Sequence, residues 1–239
     1  AESASPFLKS PQIRPHGSPG SRFLCHRSNT MIFSKLHRFL FIKGRKVAGT
    51  SFEVALSKIC GPDDIITPIT PIDEKVRISL NYRPAQNYGA DTRKLDIYLS
   101  TLKEASIENA PSAKPPKGKF SNHTTLREAH EILGDELQGF RILAIARSPY
   151  EIVLSRLNHR LTFRKYMANG EPMKATRSAL RDELPAFIAS LKNGEYPKNS
   201  DHYMINEDSG LPDIEYLRFE NLQEELDKLL RSLAINDTI

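Results

Sequence analysis

The chain has 239 residues, of which 39% are hydrophobic and 26% charged, and its formal net charge is +5 at pH 7. These values exclude an intrinsically disordered chain, and the length allows one large domain or two small ones. The longest apolar runs, 39–42 and 142–146, are far shorter than the roughly 20 residues of a membrane-spanning helix. Two cysteines, Cys25 and Cys60, cannot form a disulfide scaffold and lack the spacing of a zinc site. The sequence therefore predicts a mildly basic globular protein whose overall charge identifies no partner.

The first 30 residues differ in composition from the rest of the chain. They are rich in proline, serine and basic residues, contain a single acid, Glu2, and show no apolar periodicity. We interpret residues 1–30 as a flexible N-terminal extension. A targeting remnant is the alternative, because transit peptides are rich in serine and arginine and poor in acids.

A strand, a loop and a helix are predicted after this extension. Residues 39–43 form a short apolar run of the buried-strand type, which ends at Gly44. Apolar side chains then recur with the spacing of an amphipathic helix, at Phe52, Ala55, Leu56 and Ile59. The sequence Cys60-Gly61-Pro62 ends this helix.

Strands and helices also alternate along the rest of the chain. Thr125 and Glu128 have the spacing of a capping box, and Ser148 and Pro149 are typical of the first positions of a helix. Helices are predicted over residues 91–109, 126–137, 149–161 and 222–233, and strands over residues 142–146 and 214–219. This alternation predicts an α/β fold with a parallel sheet flanked by helices. We assign residues 31–239 to a single domain of this class.

The segment GRKVAGTS, residues 44–51, is the most informative part of the sequence. Its Gly44, Gly49 and Ser51 keep the spacing of a Walker A loop, but Thr50 stands at the lysine position and Lys46 lies inside the loop. Backbone N–H groups in such a loop, together with the positive end of the following helix, favour a bound phosphate or sulfate. We therefore expect an anion site in which Lys46 reaches the bridging oxygen of the ligand. The alternative is a turn with two solvated cations.

The second central strand ends in a cation. Arg147 directly follows the strand 142–146 and stands at the position where a P-loop kinase carries the acid that holds Mg²⁺. Ser155 lies about two turns into the next helix. An arginine and a hydroxyl can bind a phosphate without a metal ion, and a structural ion pair of Arg147 is the alternative. Two anion sites at neighbouring strand ends indicate a ligand with two separated anionic groups.

Together, GRKVAGTS after a strand and AIARSPYEIVLS at the second strand end resemble the 5′-phosphosulfate loop and the 3′-phosphate motif of sulfotransferases. The most similar branch includes carbohydrate 2-O-sulfotransferases and bacterial relatives, whose loop often has the sequence PKTAGTS. The resemblance covers roughly residues 38–62, 118–165 and 214–233. It implies a P-loop-like fold and 3′-phosphoadenosine-5′-phosphosulfate (PAPS) as sulfuryl donor, with no metal.

The resemblance also implies roles for individual residues. Lys46 matches the loop lysine that supports sulfuryl transfer, and Arg147 with Ser155 matches the pair that binds the 3′-phosphate. Arg45 replaces the usual proline and Val47 a common threonine, which leaves the lysine and the N–H groups in place. The predicted cofactor-binding set is Arg45, Lys46, Val47, Ala48, Gly49, Thr50, Ser51, Arg147 and Ser155.

His123 is the predicted general base. It lies in FSNHTT and is expected at the end of a strand, at the ligand-facing edge of an open α/β sheet. Imidazole suits proton abstraction near neutral pH, and related carbohydrate sulfotransferases carry a catalytic histidine in a similar position. The alternative is a capping or surface histidine. His159, Arg156 and Arg160 are weaker candidates for contact with the acceptor.

The sequence thus predicts a sulfotransferase that moves a sulfuryl group from PAPS to a hydroxyl, or an amine, of a carbohydrate or small metabolite. A P-loop nucleotide kinase and a basic nucleic-acid-binding module are the alternatives. We expect no nucleic-acid partner and no membrane span in this chain. The acceptor and the oligomeric state stay open. The protein is expected in the cytoplasm or an organelle, or in the Golgi lumen if an N-terminal anchor has been removed.

Overall fold

Five strands form one sheet in the computed structural model, which describes residues 31–106, 109–120, 124–169, 176–196, 198–205 and 213–235. The strands are β1 (Met31–Ser34), β2 (Phe39–Ile42), β3 (Ile65–Ile66), β4 (Arg141–Ala146) and β5 (Ile214–Arg218), in the order β3-β1-β2-β4-β5. Strands β2, β4 and β5 are parallel, whereas β1 runs antiparallel to both of its neighbours. The predicted α/β class is confirmed, and the prediction of a parallel sheet holds for β2, β4 and β5 but is wrong for β1.

Seven α-helices flank this sheet in the described part of the chain. They are α1 (Gly49–Ser57), α2 (Pro71–Ser79), α3 (Thr92–Glu104), α4 (Leu126–Leu133), α5 (Pro149–Asn169), α6 (Arg177–Lys192) and α7 (Leu222–Ser232). Short 3₁₀ turns occur at Ala110–Ser112, Gly134–Leu137, Ser200–His202 and Phe219–Asn221.

Apolar residues on both faces of β2 explain why the sheet lies between two layers of helices. Phe39 and Phe41 pack into a core cluster with residues of α1 and α7. Leu40 and Ile42 point the other way, into a cluster that includes α4. All four residues are buried, as expected for a central strand covered on both faces.

The parallel pairing of β2 and β4 determines where the two predicted motifs lie. Phe41 pairs with Leu143 in the parallel register, so the carboxyl ends of the two strands reach the same edge of the sheet. The loop after β2 and Arg147 after β4 therefore lie side by side. This edge is where open α/β sheets bind their ligands.

Several local predictions are confirmed, and others are wrong. Thr125 and Glu128 form the predicted capping box at the start of α4. The helix predicted over 91–109 ends at Glu104. The described residues 113–120 form no strand, and the strand end predicted at His123 is not tested, because residues 121–123 lie outside the described residues. His123 itself and residues 1–30 lie outside the described residues.

Candidate anion-binding site

The loop between β2 and α1 turns sharply at two residues that are not glycines. Lys46 has φ 63° and Ala48 has φ 59°, a left-handed backbone conformation that costs a residue with a side chain about 1–3 kcal/mol. Left-handed residues in turns bring successive N–H groups together into concave anion sites. Gly44 and Gly49 do not supply this turn, since neither has a positive φ.

The two glycines are instead needed because other groups approach them closely. A Cβ atom on Gly44 would lie 2.4 Å from the hydroxyl oxygen of Tyr203. A Cβ atom on Gly49 would lie 2.4 Å from Cγ of Lys43, whose flexible side chain runs past the start of α1. The Walker-like glycine spacing is present, but its physical role here is to admit Tyr203 and Lys43.

Lys43, which directly precedes the loop, forms a buried ion pair under it. Its Nζ lies 3.0 Å from Oε2 of Glu53, a fully buried carboxylate on α1, and donates a hydrogen bond of 2.7 Å to Oγ1 of Thr50. This pair ties the end of β2 to the first turns of α1. Sequence reasoning missed this role of Lys43, although a lysine after a buried strand with an acid on the next helix is a visible pattern.

The glycine loop, residues 44–51, contacts the end of β4 directly. Nη1 of Arg147 donates a hydrogen bond of 2.9 Å to the backbone carbonyl oxygen of Lys46. Burial and the positive charges of Arg147 and Arg156 lower the pKa of Lys46. The structure therefore brings the predicted loop lysine and the predicted strand-end arginine together in one cationic cluster.

Arg147 is also held from two other sides. Its Nε lies 3.1 Å from Oε2 of Glu151 in the first turn of α5, and its guanidinium carbon lies 3.9 Å from the ring centroid of Phe219. The structural ion pair that was the alternative for Arg147 is therefore present. The stacked and paired guanidinium is fixed in orientation, which is what a phosphate-binding arginine requires.

A groove of about 730 Å³ lies between α5 and α6 and contains both predicted 3′-phosphate residues, Arg147 and Ser155. We call it the arginine groove. Its walls are Arg147, Glu151, Leu154, Ser155, Leu157 and Asn158 of the α5 side and Arg177, Leu180, Arg181 and Leu184 of α6. Its volume is in the range of small-molecule sites.

Arg177 and Arg181 are functional candidates that sequence reasoning missed. Both are exposed, and neither has an ion-pair partner among the residues that the structure describes. With Leu180 and Leu184 they follow the i, i+3, i+4, i+7 spacing of one helix face, and this face lines the groove. The spacing was visible in the sequence, but nothing there placed this face opposite Ser155.

The loop end predicted to bind the cofactor lines a different cavity. Thr50 and Ser51 border a smaller space of about 230 Å³ with Asp73 and Val76 of α2. Val47 packs its side chain into the core, so this side chain is not available to a bound ligand. The predicted residues thus fall into two groups, which meet through the contact between Arg147 and Lys46.

The weaker candidates on α5 lie in different surroundings. Arg160 pairs with Glu183 at 2.7 Å and so joins α5 to α6, which gives it a structural contact. The guanidinium of Arg156 lies 5.5 Å from the ring centroid of Tyr196, and burial with the charge of Arg45 lowers its pKa. Burial and the charge of Lys46 lower the pKa of His159. His159 therefore lies within the electrostatic range of the loop lysine.

Over the described ranges, no three His, Cys, Asp or Glu side chains gather where they could hold a metal ion. In the same ranges, no helix combines the length and apolarity needed to cross a membrane. No family model, curated protein or solved structure matches this chain.

Proposed function

We propose that the protein is a PAPS-dependent sulfotransferase with a P-loop-like arrangement of β2, the glycine loop and α1. The hydrogen bond from Arg147 to the Lys46 carbonyl carries this proposal, because it joins two anion-binding elements into one site. A donor with a phosphosulfate at one end and a 3′-phosphate at the other matches two neighbouring cationic elements. This match adds to the resemblance of the two sequence motifs to the sulfotransferase family.

Each end of the donor has its own set of residues in this proposal. The loop N–H groups, the N-terminus of α1 and Lys46 bind the phosphosulfate. Arg147 and Ser155 bind the 3′-phosphate, and Arg177 and Arg181 add positive charge on the opposite wall of the groove. The groove leucines offer an apolar surface for the adenosine.

PAPS supplies the sulfuryl group, whose sulfur bonds to the acceptor oxygen as its bond to the bridging phosphate oxygen breaks. Lys46 stabilises the negative charge that develops on that bridging oxygen. Its lowered pKa makes the ammonium a stronger hydrogen-bond and proton donor at this point. The hydrogen-bond donors of the loop and of Arg147 are already in place before the reaction. Little reorganisation of these groups is therefore needed as charge develops on the ligand.

The acceptor proton must pass to a base. His123 remains the proposed base from the sequence resemblance. His159 is a second candidate on α5, because its lowered pKa keeps the imidazole neutral and able to accept a proton near pH 7.

The alternative functions receive less support from the described residues. Arg147 stands where a P-loop kinase has its Mg²⁺-binding acid, and Thr50, at the Walker lysine position, accepts a hydrogen bond from Lys43. A nucleic-acid-binding module would need a broad basic face, whereas Arg141, Arg160 and Arg218 are each paired with a glutamate.

Calorimetry with adenosine 3′,5′-bisphosphate, the desulfated product, tests the proposal. We expect binding with a Kd on the order of micromolar that is unchanged by EDTA. Mg²⁺-ATP and duplex DNA are the comparison ligands. Binding of either of them without binding of the bisphosphate contradicts the proposed function.

A further inference from the structure

A segment far along the chain holds the glycine loop from the side. The backbone N–H of Arg45 donates a hydrogen bond of 2.9 Å to Oδ1 of Asn199, and Nδ2 of Asn199 donates one of 3.0 Å to the Arg45 carbonyl oxygen. The two residues are 154 positions apart in sequence. One amide side chain therefore satisfies both backbone groups of a loop residue, as a neighbouring strand would.

The segment around Asn199 is itself well fixed. The backbone N–H of His202 donates a hydrogen bond of 3.0 Å to the Asn199 carbonyl oxygen, which closes a short 3₁₀ turn. Tyr203 follows, with its hydroxyl against Gly44 and its ring 5.9 Å from that of Tyr216 on β5. Residues 198–205, which we call the strap, thus connect the sheet to the start of the glycine loop.

Asn199 acts next to the strained part of the loop. Arg45 directly precedes Lys46, the first of the two left-handed residues. A left-handed residue with a side chain persists only where its surroundings determine the conformation. The Arg147 contact fixes the Lys46 carbonyl on one side, and the Asn199 pair fixes the Arg45 backbone on the other.

We propose that Asn199 is a positioning residue that keeps the glycine loop in its anion-binding conformation. The inference rests on the proposed function for the identity of the ligand. It also refines the predicted cofactor set, because the Arg45 N–H is already used by Asn199 and the N–H groups that bind the anion come from later loop residues. Asn199 acts through the loop and touches no reacting atom.

If Asn199 positions the glycine loop, its loss should weaken binding of the 5′ end of PAPS, which lies at the loop, and leave binding of the 3′-phosphate unchanged. Adenosine 3′,5′-bisphosphate places its 5′-phosphate at the loop, whereas adenosine 3′-monophosphate uses only residues of the arginine groove, among them Arg147 and Ser155. N199A removes both hydrogen bonds to Arg45. We expect about tenfold weaker binding of the bisphosphate and unchanged binding of the monophosphate.

The experiment measures both ligands by calorimetry on the wild type, N199A and N199D. N199D keeps an acceptor for the Arg45 N–H and loses the donor to its carbonyl. The matched control is N193A, at the exposed residue that follows α6. Hydrogen exchange of the Arg45 amide is measured in the same variants without ligand. We expect exchange in N199A to be at least about tenfold faster than in the wild type, with N199D closer to the wild type.

Selective loss of bisphosphate binding together with faster Arg45 exchange supports the positioning role. Equal weakening of both nucleotides, or unchanged Arg45 exchange in N199A, overturns it. If the wild type binds neither nucleotide, the proposed function is contradicted, and the exchange result alone decides whether Asn199 positions the loop.

Discussion

The glycine loop and the arginine groove are neighbours, but buried contacts fix the loop whereas the groove is open to solvent. Below the loop lies the ion pair of Lys43 and Glu53, and beside it lies Asn199. The groove presents Arg177 and Arg181, which are exposed. In the proposed function, the transfer end needs a fixed geometry, while the anchoring end needs mainly charge and an apolar surface. The two regions should therefore respond differently to substitution.

Loss of the ion pair under the loop should have the largest effect on stability. Lys43→Met leaves the fully buried carboxylate of Glu53 without its cation, so we expect unfolding to be easier by about 3–5 kcal/mol. Urea denaturation measures this change. The double variant Lys43→Met with Glu53→Leu should regain most of the loss, because no buried charge is left. The control is Lys35→Met, whose ion pair with Glu136 is exposed and should contribute under about 1 kcal/mol.

Substitution of Gly44, which the Tyr203 hydroxyl approaches closely, should have the next largest effect on stability. Gly44→Ala places a methyl group against the tyrosine hydroxyl and should destabilise the protein by about 1–3 kcal/mol. Tyr203→Phe removes that hydroxyl, so adding it to Gly44→Ala should recover part of the stability. A double-mutant cycle by thermal unfolding measures the coupling. Additive effects of the two substitutions would show that this contact does not constrain the loop.

Substitutions in the groove should leave stability unchanged and weaken ligand binding. For Arg177→Ala with Arg181→Ala we expect about tenfold weaker binding of adenosine 3′,5′-bisphosphate at low ionic strength and a smaller loss at high ionic strength. Binding of adenosine 5′-phosphosulfate, which lacks the 3′-phosphate, should not change. Arg93→Ala on the exposed face of α3 is the matched control. Equal losses for both nucleotides would contradict a 3′-phosphate role for these arginines.

The smallest expected effect is the contribution of His159 to the pH dependence of folding stability. Its pKa is lowered from the ordinary 6.5 by burial and by Lys46, so the unfolded chain binds more protons than the folded one at mildly acidic pH. This contribution to stability therefore increases as pH rises through the lowered pKa toward about 6.5 and is constant above. His159→Gln should flatten this part of the stability curve. His130→Gln, at an exposed histidine of α4, is the control, and a curve for His159→Gln that matches the wild type would contradict the assignment.

Those parts of the fold whose signals are local in sequence could be predicted. The apolar run of β2, the Thr125 capping box and the Ser148-Pro149 helix start all depend on neighbouring residues. The hairpin of β1 and β2 was missed because its turn contains no glycine, and Arg38 instead adopts φ 52°. Helix α6 was missed because Pro185 lies inside it.

The parts of the candidate site that were missed depend on contacts between distant residues. Asn199 reaches Arg45 across 154 positions, and only the folded chain brings the Arg177 and Arg181 face of α6 opposite Ser155. The sequence around Lys43 does not show that its side chain is buried against Glu53, ten residues further along the chain. Residue type and spacing located the loop, and tertiary contacts determine which of its groups are already engaged.

The role proposed for Lys46 is to support sulfuryl transfer from PAPS at the glycine loop. Transfer of radiolabelled sulfuryl from PAPS to a pool of hydroxyl and amine acceptors should be measured for the wild type, Lys46→Ala and the control Lys94→Ala, an exposed lysine of α3. We expect transfer by the wild type and the control and a loss of about 10²- to 10³-fold in kcat for Lys46→Ala. Transfer by Lys46→Ala at the wild-type rate would contradict that role.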